Sequence, residues 1–167
     1  MHYTDHFALA DQYFNHVDQT ISGLDEFLKS RYIGFASISA VTVYELAIKE
    51  IIYRFCDHKH KVLSHISRKQ FEKINARVRL DHLRSDYLSF FGDKYEKKFC
   101  MIIEKRERDI LKSAGKHIRS MYSNIIITRN EFAHAGIISS TNTYEEVRER
   151  YSYGKYVIEC FDLALQR

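Results

Sequence analysis

Residues 129–134 read Arg-Asn-Glu-Phe-Ala-His, and they hold the side chains in this sequence best suited to chemistry. A permanent cation can grip two phosphate oxygens at once. An imidazole can move protons near neutral pH. A small amide can orient either partner. On a helix, Asn130 and His134 are four apart and stand one above the other. Arg129 comes one position earlier, and its long fork can swing toward the same point. The set suits cleavage of a phosphodiester whose nucleophile the substrate itself carries, as RNA does in its 2′-hydroxyl. DNA lacks that group.

The surrounding residues give Arg129 its meaning. Ile118, Tyr122, Ile125, Arg129 and Phe132 recur at helical spacing and form an apolar stripe. Arg129 occupies one rung. A guanidinium there must reach solvent or meet a polar interface, because an unpaired buried charge is costly. Gly136 suits the helix C-terminus and leaves His134 in the last turn. Arg-to-His spacings recur at Arg77…His82 and Arg54…His60, but Val78 and Phe55 follow those arginines where polar Asn130 follows Arg129. On an earlier helix, Glu45 and Lys49 form an acidic and basic pair. Glu45 can hold Arg129 in place from behind. The plainer reading is an exposed i,i+4 pair worth about 0.3 kcal/mol.

Arg129, Asn130 and His134 resemble the motif of HEPN ribonucleases: Arg, a polar residue, then His after four to six positions. The resemblance covers most of the chain, and the nearest flavour looks like the HEPN branch of bacterial toxin and defence systems. It implies a metal-independent endoribonuclease that leaves 2′,3′-cyclic phosphate ends, with Arg129, Asn130 and His134 as its catalytic residues. Glu45 and Lys49 would support them, since similar pairs accompany the motif in part of the superfamily. It also implies RNA as partner, a homodimer with a composite site, and control by an antitoxin or regulatory protein. Some HEPN toxins carry a Tyr two positions after the His, which a partner nucleotidyltransferase modifies. Here Gly136 stands there, which argues against that route. The alternative is a non-catalytic HEPN-like module that binds nucleotides or proteins.

These residues require helices to position them, and the chain reads as one all-α domain over 1–167, an up-and-down bundle of five to six helices. The absence of proline favours long uninterrupted helices. A first helix is expected over roughly residues 4–30, on the stripe Phe7, Ala10, Phe14, Val17, Ile21, Leu24, Leu28. A link around 31–36 contains Gly34. A second helix runs from about Ser37 to about His58, with Val41, Tyr44, Ile48, Ile51 and Phe55 inward. Ser67-x-x-Gln70 reads as a capping box opening a third helix that ends near Arg84. Residues 85–92 are an aromatic connection, and Asp93 caps a fourth helix ending before Gly115. The motif helix spans about 116–135, 137–142 is a polar loop, and Thr143-x-x-Glu146 caps the last helix.

Composition narrows the function classes. Hydrophobic residues make up 45% and charged residues 29%, a globular balance rather than a disordered one. The net charge of +4 permits a polyanionic partner without demanding one. No apolar run spans a bilayer and residues 1–5 lack a signal peptide's features, so a cytoplasmic protein without membrane contact is expected. Cys56, Cys100 and Cys160 read as reduced thiols, mostly buried. Cys56, His58, His60 and His65 lack the paired spacing of a zinc site. No Gly-rich phosphate loop and no Ser, His and acid arrangement stands out, so no cofactor and no metal are expected. Arg68, Lys69, Lys73, Arg77, Arg79, Arg84, Lys94, Lys97 and Lys98 can line an RNA approach or form solvated helix faces. Tyr87, Phe90 and Phe91 read chiefly as aromatics packed under the loop.

Overall fold

The helical chain turns sharply at residues 23–25, and that turn sets the layout of the bundle. Leu24 and Asp25 are extended, and the Asp25 carboxylate accepts the backbone N–H of Leu28 at 2.8 Å, an N-cap. The computed structural model describes residues 2–72, 74, 77–136 and 142–166. Its α-helices are α1 (Phe7–Thr20), α2 (Glu26–Asp57), α3 (Lys61–Gln70), α4 (Asp93–Ala114), α5 (Ile118–Ala135) and α6 (Tyr144–Leu165). A π-helix, His82–Leu88, and short 3₁₀ turns join them. The fold is an all-α bundle with no strand among the described residues.

Two expectations fail at the start of the chain. The predicted first helix divides, because Gly23 and the Asp25 cap interrupt it; only Phe7, Ala10, Phe14 and Val17 of its stripe are buried. The predicted link at 31–36 lies inside α2. Gly34 is helical there, and the position calls for glycine because a Cβ would sit 2.3 Å from the Phe132 ring. The resulting 32-residue α2 is the central helix, packed on α1, α3, α5 and α6. It buries Val41, Tyr44, Ile48 and Ile51 as the pattern required.

The third helix also differs. His60 caps α3, accepting the Val62 N–H, while Ser67 is buried within it and its hydroxyl donates to the Ser64 carbonyl. The aromatic connection is itself helical. Tyr87 is buried and donates to the Arg77 carbonyl at 2.7 Å, Phe91 is half-buried, and Phe90 stays exposed against Phe71. Gly115, at φ +68°, ends α4 as expected, although Gly92 rather than Asp93 is its N-cap. The Thr143/Glu146 capping box forms with both of its hydrogen bonds. The expected loop falls mostly on 137–141, outside the described residues, as does Lys73. No described helix is long and apolar enough to cross a membrane.

Candidate active site

The motif helix α5 is held against α2 at both ends of their contact. Tyr122 stacks on Tyr44 at 5.3 Å, and Phe132 wedges over Gly34 and meets Phe35 edge-on at 5.4 Å. These pairings make α5 antiparallel to α2. The helix stops at Gly136, in the left-handed conformation at φ +67°, whose N–H bonds the Phe132 carbonyl at 2.8 Å. Arg31 of α2 donates to the Gly136 carbonyl at 2.8 Å. A tyrosine at this position would be strained by its backbone alone.

Arg129 sits on the rung predicted for it, with 24% of its side chain exposed. Its guanidinium meets a polar surface of α2: Nη2 lies 3.7 Å from Glu45 Oε1, and Nη1 donates to Asn130 Oδ1 at 3.0 Å. Glu45 is 18% exposed. The separation from Glu45 is long for a direct hydrogen bond, so the pair orients the fork while leaving other guanidinium donors available. Lys49 lies one turn further along α2, and no ion pair joins it to Glu45.

His134 is exposed in the last turn of α5 and has no hydrogen-bonding partner among the described residues. Residues five apart on a helix point about 140° apart around its axis. The Arg129 fork has turned toward Glu45 and Asn130 rather than round to His134. Asn130 bonds Arg129 and not the imidazole. The structure therefore brings Arg129, Asn130 and Glu45 together and sets His134 at the rim. Asn130 also lines a hollow of about 500 Å³ with Arg79, Asp81, Ser123 and three apolar side chains.

Two supporting residues escaped the sequence reading. Arg31 holds the end of α5, and Arg150 of α6 donates to Thr128 Oγ1 at 3.2 Å and Asn142 Oδ1 at 2.6 Å. Only the three-dimensional crossing identifies them, since each lies far from the motif in sequence or on another helix. Apolar side chains flank the site in the open: Phe27 is 67% exposed, Phe35 52% and Ile127 52%.

This arrangement, a bundle whose penultimate helix ends in Arg-Asn-x3-His, defines a HEPN-domain protein. A family model described as RiboL-PSP-HEPN matches residues 5–167, so the chain belongs to that HEPN family. No curated protein and no solved structure matches the chain. HEPN domains are frequently ribonucleases and commonly bind RNA and dimerise.

Proposed function

We propose that this protein is a metal-independent endoribonuclease acting through Arg129, Asn130 and His134. The observation that carries the reading is an arginine in an apolar stripe, oriented by Glu45 and Asn130, on the same helix as an exposed histidine with no hydrogen-bonding partner among the described residues. The 2′-oxygen of RNA attacks the adjacent phosphorus, and the bond from phosphorus to the 5′-oxygen breaks. His134 takes the proton of the 2′-hydroxyl. Arg129 neutralises the charge that builds on the phosphoryl oxygens. A proton passes to the departing 5′-oxygen, leaving a 2′,3′-cyclic phosphate and a 5′-hydroxyl.

The motif of one chain offers a single imidazole, and the Arg129 fork turns to Glu45 and Asn130 rather than to it. A two-fold homodimer resolves this by facing two motifs across a shared cleft, so that the second copy supplies the proton donor. Phe27, Phe35 and Ile127 give that pairing exposed apolar area beside the motif. Glu45 acts as the positioning residue for Arg129, and Lys49 adds positive charge beside it. The biological role that follows is a toxin or anti-phage defence effector in the cytoplasm, restrained by an antitoxin or other regulatory protein.

The test is RNA cleavage in excess EDTA, comparing wild type with His134→Ala and analysing the product ends. Cleavage to cyclic-phosphate ends by wild type alone is the expected result. Equal behaviour of the two proteins on several RNAs would overturn the reading in favour of a binding module.

A further inference from the structure

The positive charges of this chain divide into two kinds. Most arginines are committed to carboxylates: Arg68 to Asp57, Arg77 to Asp86, Arg79 to Asp81 and Arg84 to Glu96. Four of the nine basic residues suggested by the sequence as an RNA approach are thereby neutralised locally. Lys59, Lys94 and Lys98 behave differently. Among the described residues none of the three has a carboxylate partner, and all three line one groove.

That groove lies where the C-terminal ends of α2 and α6 meet the start of α4. It consists of two adjoining hollows of about 600 Å³ and 330 Å³, which share Lys59, Leu165 and Gln166. Among the described residues its one acidic side chain is Asp162, which is already paired with Arg54. Lys98 Nζ donates to the Gln166 carbonyl. Lys59 Nζ lies 5.0 Å from the Phe55 ring centre, and Lys94 Nζ 4.8 Å from that of Tyr95. Phe55 and Tyr95 meet edge-on at 5.3 Å, so the cations are seated around a fixed aromatic pair that is only partly buried.

We propose that this groove anchors single-stranded RNA, away from the Arg129/His134 pair. The lysines grip backbone phosphates as flexible point charges, without reading sequence. Phe55 and Tyr95 offer a surface on which a base can stack. Cations spread along two connected hollows suit a strand better than one compact anion. The groove sits at the other end of α2 from the motif: ten residues separate Glu45 from Phe55, roughly 15 Å of helix rise. That RNA is the ligand rests on the reading under Proposed function, but binding is measurable without cleavage.

The experiment uses His134→Ala as parent, so that RNA stays intact, and a fluorescent single-stranded oligoribonucleotide of about a dozen residues. Anisotropy gives its affinity across a salt series. The groove variant adds Lys59→Gln, Lys94→Gln and Lys98→Gln. A control variant adds Lys105→Gln, Arg108→Gln and Lys112→Gln, removing the same charge from exposed positions elsewhere on α4. The groove variant should bind at least about tenfold more weakly, and its salt slope should fall by about 2, near 0.7 per lost phosphate contact. The control should stay within about threefold of the parent on the same measure. Parent-like binding by the groove variant, equal loss in both variants, or no binding by the parent would each overturn the anchor. Groove-dependent binding by a wild type that cleaves no RNA would instead remove the catalytic reading and leave the anchor standing.

Discussion

Two close helix crossings on α2 are built from the same device and differ in everything around it. At the α2–α6 crossing, Gly154 faces Tyr44; at the α2–α5 crossing, Gly34 faces Phe132. The first is dry and satisfied. Tyr44 donates to the Tyr151 carbonyl at 2.5 Å and stacks with Tyr151, which stacks on Phe14 at 4.7 Å. The second carries Arg129, Glu45 and Arg31 at a half-open seam, with exposed Phe35 beside it and exposed His134 two residues beyond Phe132. A glycine under an aromatic ring serves packing in both places. The second seam alone places a partly exposed cation beside an exposed imidazole that has no hydrogen-bonding partner among the described residues, and that separates a candidate site from a core.

The sharpest way to break the comparison is to add one methyl group at each glycine. A Cβ at Gly154 would lie 2.3 Å from the Tyr44 hydroxyl, which is fixed in the core. Gly154→Ala should cost about 3 kcal/mol in chemical denaturation. Gly34→Ala meets three atoms of the Phe132 ring at 2.3–2.5 Å, and that ring is itself buried. It should cost a similar amount, about 3 kcal/mol, and should in addition displace α5 and reduce RNA cleavage per folded molecule, which Gly154→Ala should leave unchanged. Unchanged cleavage by folded Gly34→Ala would erase the distinction.

Alkaline pH probes the buried interior, on both sides of Tyr44. Burial pushes the Cys160 thiol and the Tyr87 hydroxyl up to about 12, and holds Tyr44 and Tyr122 well above the ordinary phenol value. In the unfolded chain these groups ionise at about 8.5 for thiol and 10 for phenol. The unfolded state therefore releases protons first, and stability present below those values is lost as pH rises toward 12. Melting temperature should hold near neutrality and fall steadily above about pH 9. A flat profile to pH 11 would show that these groups find solvent.

Smaller effects refine the seam. Glu45→Gln should slow cleavage about tenfold, near 1.4 kcal/mol, by loosening the Arg129 fork. Its effect on stability should stay below about 1 kcal/mol, because the pair is long and partly solvated. Thr143→Ala removes the α6 cap and should cost about 1 kcal/mol while leaving cleavage per folded molecule unchanged.

Much of this molecule was legible in its sequence, and the misses have physical causes. The α5 stripe and the Gly136 stop were readable because helical period and a left-handed glycine cap are local signals. The Thr143/Glu146 box was readable for the same reason. Gly34 misled because a glycine in isolation looks like a break; what requires glycine inside that helix is the ring of Phe132, 98 positions away. Ser67 and Gln70 had cap-like spacing, but His60 opened that helix earlier and Ser67 became buried. At the site, residue types and register were legible. The direction of the Arg129 fork was not, because it depends on Glu45 across a tertiary contact.

The central claim is that the α2–α5 seam is a site and the α2–α6 crossing a support. The most direct measurement is the initial rate of RNA cleavage by His134→Ala and by Tyr44→Phe, at a temperature where both remain folded. Tyr44→Phe loses a buried hydrogen bond and should be about 1–2 kcal/mol less stable, yet cleave at near the wild-type rate. His134→Ala, at an exposed position, should melt like wild type and lose about 10²-fold or more in cleavage. Wild-type cleavage by His134→Ala would contradict the account.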